Sequence, residues 1–121
     1  MLGYVTVGTS DFDRAREFYD SLIAEIGGNR IFESPTGQFY GFAEGTVFGV
    51  LRPHDGKPAS SGNGTMFAFK VSSPTDVDRV YETAIRLGAI DDGKPGPRGE
   101  RGFYGSYFRD SDRNKICVYT M

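Results

Sequence analysis

One order of patterns runs through this chain twice, and it limits the fold more than any other feature. An apolar run from Leu2 to Val7 gives way to Ser10-Asp11-Phe12-Asp13, a Ser-x-x-Asp signature that predicts a helix opening at Ser10. Apolar residues then recur at Phe12, Ala15, Phe18, Tyr19, Leu22, Ile23 and Ile26, a stripe at helical spacing, and Gly27-Gly28 predicts a left-handed stop. Three strand patterns follow: Asn29 to Glu33, Gln38 to Ala43 and Thr46 to Arg52. Pro35-Thr36-Gly37 and Glu44-Gly45 supply the turns between them. At Thr65 to Val71 the order restarts. Ser73-Pro74-Thr75-Asp76 opens a second helix, with proline at the first helical position, where a missing N–H does no harm. Val77, Val80, Tyr81, Ala84 and Leu87 form its stripe, and Gly88 ends it. Ala89 to Asp91 begins a strand, Lys94 to Gly102 reads as a loop because of its prolines and glycines, and Phe103 to Phe108 and Lys115 to Tyr119 complete the set. Even the pair Asp13-Arg14 in the first helix has a counterpart in Asp78-Arg79.

The predicted class is therefore α+β, with two βαβββ repeats, 1–53 and 64–121, joined by a polar linker at 54–63 inside one domain of 121 residues. Each helix would cover one face of a curved, mixed sheet, leaving the other faces to line a cleft. Period-two alternation then points Val5, Val7, Phe67, Phe69, Ile116 and Val118 at the helices. Tyr4, Thr6, Met66, Ala68, Cys117 and Tyr119 face the cleft.

Composition removes several function classes. A net charge of −2 gives no basis for nucleic acid or an anionic membrane as partner. No stretch approaches the ~20 apolar residues that span a bilayer, and the N-terminus reads as a strand rather than a signal peptide. One cysteine excludes an intrachain disulfide and fits a reducing, cytoplasmic setting.

Three stretches carry a family resemblance: Tyr4-Val5-Thr6-Val7 with Ser10 to Tyr19; Gly62 to Phe69; and Tyr107-Phe108-Arg109-Asp110-Ser111-Asp112-Arg113-Asn114-Lys115-Ile116-Cys117. The first resembles a strand and helix with an Asp-(apolar)-x-Arg-Ala-x-x-Phe-Tyr signature. The last resembles an Asp-Pro-Asp-Gly-Asn-x-Ile-Glu turn, with Ser111 for Pro, Arg113 for Gly and Cys117 for Glu. Together they are similar to the vicinal oxygen chelate superfamily of glyoxalase I, extradiol dioxygenases, fosfomycin-resistance enzymes and bleomycin-resistance proteins. The resemblance implies cleft-facing His and Glu ligands for a divalent metal. Here Tyr4 and Met66 stand where histidines are expected and Cys117 where the closing glutamate is expected, while Thr46 to Arg52 offers no carboxylate, imidazole or thiol. The one histidine, His54, falls in the linker. A phenol, a thioether and a thiol do not replace a His/Glu set for a hard ion, so no metal or other cofactor is expected.

The function this reading favours is metal-free binding of a small, partly apolar molecule. The ligand contacts would be Tyr4, Thr6, Arg52, Met66, Ala68, Tyr107, Cys117 and Tyr119. A metal-dependent lyase, isomerase or dioxygenase of the lactoylglutathione lyase type is the alternative, and a dimeric scaffold without catalysis the third; homodimers are common in the superfamily. Ten Phe and seven Tyr provide aromatic lining as well as core. Lys94, Arg98 and Arg101 could close over an anion, although Glu100 stands among them. Cys117, without a histidine pattern nearby, reads as a small buried apolar residue rather than a nucleophile.

Overall fold

The computed structural model describes residues 1–121. Two helices and eight strands follow one another as β1 (Tyr4–Gly8), α1 (Phe12–Ile26), β2 (Asn29–Ser34), β3 (Gly37–Gly41), β4 (Val47–Leu51), β5 (Phe67–Lys70), α2 (Pro74–Arg86), β6 (Ile90–Pro97), β7 (Tyr104–Arg109) and β8 (Lys115–Thr120). They form two compact units, Met1–Ser60 and Ser61–Met121. Each unit holds one four-stranded mixed sheet, ordered β1-β4-β3-β2 in the first and β5-β8-β7-β6 in the second. The βαβββ order expected from the repeat is thus present in both halves.

In the first unit β1 runs parallel to β4, and β4-β3-β2 are antiparallel. Val5 lies opposite Phe48 and Val7 opposite Val50. This row faces α1, whose Tyr19 ring sits 5.1 Å from the Phe48 ring. The predicted stripe of α1 is the face that is buried, from Phe12 to Ile23. Tyr40 joins this core almost fully buried, so its hydroxyl needs a partner. It donates to Asp20 Oδ1 at 2.7 Å, and Arg30 closes a two-pronged contact on the same carboxylate.

The start of α1 differs from expectation. Its N-cap is Asp11, not Ser10, with Oδ1 accepting from the Arg14 N–H at 3.2 Å. Thr9 Oγ1 accepts from the Asp11 N–H at 3.1 Å and so sets the turn one residue later. A carboxylate also suits the positive end of the helix better than a hydroxyl. Ser10, released from capping, accepts from the Ala59 N–H at 2.8 Å. The helix ends as predicted on Gly27, whose φ of 97° lets its N–H and that of Gly28 reach the last carbonyls.

The second unit repeats the scheme. Ser73 caps α2 as expected, accepting from the Asp76 N–H at 3.2 Å and donating to Asp76 Oδ2 at 3.0 Å. Val77, Val80, Thr83 and Ala84 are buried against the sheet with Phe108, Ile116 and Val118, whereas Leu87 is 37% exposed and leaves the stripe. Tyr104 donates to Asp78 Oδ1 at 2.7 Å, again tying a strand to the helix. Ser106, opposite Val118, is buried on this helix-facing side with no hydrogen-bond partner for its hydroxyl.

Two expectations in this unit are corrected. Lys94 to Pro97, read as loop, belongs to β6. It is an edge strand with breaks in register at Asp91/Gly93 and Gly93/Gly96, and an edge tolerates prolines because one side needs no N–H. Met66, placed on a strand, precedes β5 and is 43% exposed. The turn into β8 is built on Asp110, whose Oδ1 accepts from the N–H groups of Asp112 and Asn114, each at 2.9 Å, while Oδ2 accepts from Asn114 Nδ2 at 2.9 Å. Arg113 in this turn has φ 68°, the one non-glycine residue in the left-handed region.

Candidate functional site

Parallel β1 and β4 end side by side, at Gly8 and Leu51, and the chain beyond them shapes a hollow in the first unit. After β4 the Arg52 N–H donates to the Thr36 carbonyl at 2.8 Å, holding the β2–β3 turn alongside. The segment then folds back on itself: Gly56 N–H reaches the Pro53 carbonyl at 3.1 Å, and Asp55 Oδ1 accepts from the Lys57 N–H at 2.9 Å. The Ser10–Ala59 bond draws its far end across Gly8, where a side-chain carbon would stand 3.3 Å from the Ala59 methyl. The result is an open cavity of about 610 Å³. Its polar lining comes from Thr6, Thr36, Arg52, His54, Asp55 and Ser60; Leu51, Pro53 and Pro58 are among its apolar walls.

Arg52 is the one arginine or lysine in this lining. Its guanidinium lies 4.6 Å from the centre of the buried Phe12 ring, and Nη1 is 3.5 Å from the Pro35 carbonyl oxygen. No carboxylate pairs with it, in contrast to Arg16, which lies over the same ring and binds Glu33 at 2.7 Å. An arginine held over an aromatic ring can keep N–H groups available for a planar anion.

Of the residues singled out from sequence, Thr6 and Arg52 share this cavity. Tyr4 lies two residues back from Thr6 on the same sheet face, 65% exposed, edge-on to Phe39 at 6.0 Å. Phe39, half-buried, in turn meets the exposed Phe32 at 5.7 Å, giving the sheet face away from α1 an aromatic row. Gly49 permits it, because a Cβ there would come within 2.7 Å of the Phe39 ring.

The other candidates belong to the second unit. Ala68, Cys117 and Tyr107 stand in register across β5, β8 and β7, on the side away from α2, and Tyr119 follows Cys117 on that side, its ring stacked on Phe103 at 5.1 Å. Cys117 is 1% exposed. Burial pushes its thiol up, against the Tyr107 hydroxyl bond and the nearby charges of Lys115 and Arg98. It is thus held as a protonated, inaccessible thiol, the wrong state for a nucleophile. Lys115 and Arg98 lie over the Tyr107 ring at 5.4 and 5.6 Å. Arg98 is turned back onto the Lys94 carbonyl at 2.6 Å, so the basic segment is folded on itself.

These residues do not fit the divalent metal that the family resemblance implies. The three positions carry a phenol, an exposed thioether and a buried thiol. No group of three or more His, Cys, Asp or Glu side chains lies close enough to hold an ion.

Sequence reasoning passed over Thr36, His54, Asp55 and Ser60 as site residues. Periodicity carried no signal for them, because local turns at Pro53–Gly56 and Asp55–Lys57 and the long-range bond from Ser10 to Ala59 bring the linker back, and none of these has a strand or helix period.

Comparison with known proteins places the fold firmly. The family model described as the Glyoxalase/Bleomycin resistance protein/Dioxygenase superfamily matches residues 1–118. A glyoxalase/bleomycin resistance protein from Albidiferax ferrireducens T118 is 32% identical, with a TM-score of 0.91 over 100% of this chain and 98% of that one. A glyoxalase-related enzyme from Fulvimarina pelagi, 19% identical, has a TM-score of 0.80 over 100% and 88%. A fosfomycin resistance protein from Mesorhizobium loti, 21% identical, has 0.74 over 100% and 92%; these two likenesses speak for the fold. Among curated proteins none matches.

Proposed function

The chain belongs to the glyoxalase/bleomycin resistance protein/dioxygenase superfamily, and within it we propose that this protein binds a small, partly apolar molecule, without a metal, in the cavity of its first unit. The observation that carries the reading is the cavity itself: about 610 Å³, walled by prolines and Leu51 and studded with hydroxyls and one guanidinium. Sites for drug-sized molecules span ~300–1,000 Å³ and combine apolar walls with a few placed polar groups. The metal-free part rests on the donor set at Tyr4, Met66 and Cys117.

A thermal-shift screen of small molecules tests the binding. A ligand at ~100 times its dissociation constant stabilises by about 2.7 kcal/mol, and Thr6→Trp, which fills the cavity, should remove the shift. Elemental analysis of the purified protein and thermal melts before and after exhaustive EDTA dialysis test the rest. Unchanged melts and no stoichiometric metal are expected; one tightly held divalent ion per chain would overturn the metal-free reading.

A homodimer is favoured by the exposed rings of Tyr4 and Phe32, bridged by the half-buried Phe39, together with Leu2 and Ile31, which are 81% and 54% exposed. Contiguous apolar surface of this kind marks association sites. Light scattering over a dilution series should report twice the chain mass; a monomer throughout would dismiss it. No helix is long and apolar enough to cross a membrane. The single buried cysteine suits the reducing cytoplasm proposed as its location.

A further inference from the structure

Resting on that binding reading, we infer a ligand class: the molecule carries a carboxylate, or an anion of like shape, that Arg52 receives at the cavity wall. Three observations lead there. Arg52 has no acidic partner of its own, although Arg16 beside the same Phe12 ring has one. A guanidinium that lines a hollow and is already positioned by an aromatic ring loses little freedom on binding, which favours a two-pronged contact with a planar anion. The remaining polar lining adds donors, with Thr6, Thr36 and Ser60 hydroxyls and the His54 ring. The one carboxylate, Asp55, has an oxygen engaged by the Lys57 N–H at 2.9 Å. An organic cation would meet Arg52 across the hollow, and a neutral molecule would leave the guanidinium's outward donors to water. Pro53, Pro58 and Leu51 then bound the apolar remainder of the ligand.

Three probes of nearly equal shape decide it: 4-phenylbutyrate, 4-phenylbutyramide and 4-phenylbutylamine, titrated into the full-length chain and followed by the backbone amide signals of Gly8, Thr36, Arg52 and Ala59. The carboxylate should bind roughly tenfold more tightly than the amide, the scale of one charge-assisted contact, and the amine should bind least. Arg52→Gln should erase the carboxylate's advantage, while Arg52→Lys, a point charge without the fork, should keep part of it. Amide or amine binding as well as the carboxylate, or a carboxylate advantage that survives Arg52→Gln, overturns the anion inference and leaves the cavity as a binding site. If none of the three moves those signals at millimolar concentration, both the inference and the cavity reading fall.

Discussion

Arg113 shows how single residues can oppose the fold they serve. Its φ of 68° is needed for the turn that lets Asp110 gather its donors, yet a side chain there suffers a steric penalty of about 1–2 kcal/mol. Arg113→Gly should therefore raise stability by about 0.5–1 kcal/mol after glycine's greater unfolded freedom is subtracted, read as a higher urea midpoint with an unchanged slope. The Arg109 Nη1 bond to the residue 113 carbonyl survives the change, being to backbone. Ser106 is a second case. Its buried hydroxyl has no partner, so Ser106→Ala should be neutral or stabilising by about 1 kcal/mol in the same experiment. The turn's identity was legible in the sequence, since Asp, Ser and Asn advertise side-chain-to-backbone bonds. The unpartnered Ser106 was not, because a lone serine in a strand pattern says nothing about what surrounds its oxygen.

At the scale of elements, hydrogen bonds from strand to helix and within turns fasten each unit internally beyond its apolar core. Removing the Asp110 carboxylate takes away three hydrogen bonds, two of them buried, so Asp110→Ala should cost about 3 kcal/mol, and Asp110→Asn, which keeps one carbonyl oxygen, clearly less. The Asp20–Tyr40–Arg30 cluster adds a pH signature. Burial by itself would raise the Asp20 carboxyl, but hydrogen bonds from Arg30 and Tyr40 and the charges of Arg30 and Arg16 outweigh it and hold it below the ordinary carboxylate range. Its contribution is present above the unfolded value of about pH 4 and is lost as the pH falls through the folded value. Burial and the bond to Asp20 push the Tyr40 phenol well above its usual range, so that contribution is present below about pH 10 and is lost as the pH climbs beyond. Chemical denaturation across pH should show Asp20→Asn flattening the acid limb and Tyr40→Phe the alkaline one. Helix stripes and the succession of strands along the chain were readable from periodicity in both units, whereas the order of strands within each sheet was not. The cap at Asp11 and the extent of β6 were not, because Thr9 and the bulged edge pairing decide them through contacts that no local pattern encodes.

For the whole molecule, the family scaffold supplies the elements and this chain's own substitutions shape its chemistry. Tyr4, Met66 and Cys117 could be read as replaced ligand positions from the motif alone. The cavity beside Arg52 could not, since its far wall is brought in by Ser10 gripping Ala59. Ser10→Ala should therefore loosen that wall, with faster amide hydrogen exchange at residues 56–60 and little change in the core; unchanged exchange there would mean the bond is incidental. The two strand-to-helix ties mark how far the repeat extends. Tyr40 lies opposite Phe48 in mid-sheet and reaches Asp20, whereas Tyr104 lies opposite Thr120 at the start of its strand and reaches Asp78, the repeat counterpart of Asp13. The likeness of the halves thus stops at their elements: each fastens its sheet to its helix with a tyrosine and an aspartate, but at a place of its own, so neither tie can stand in for the other.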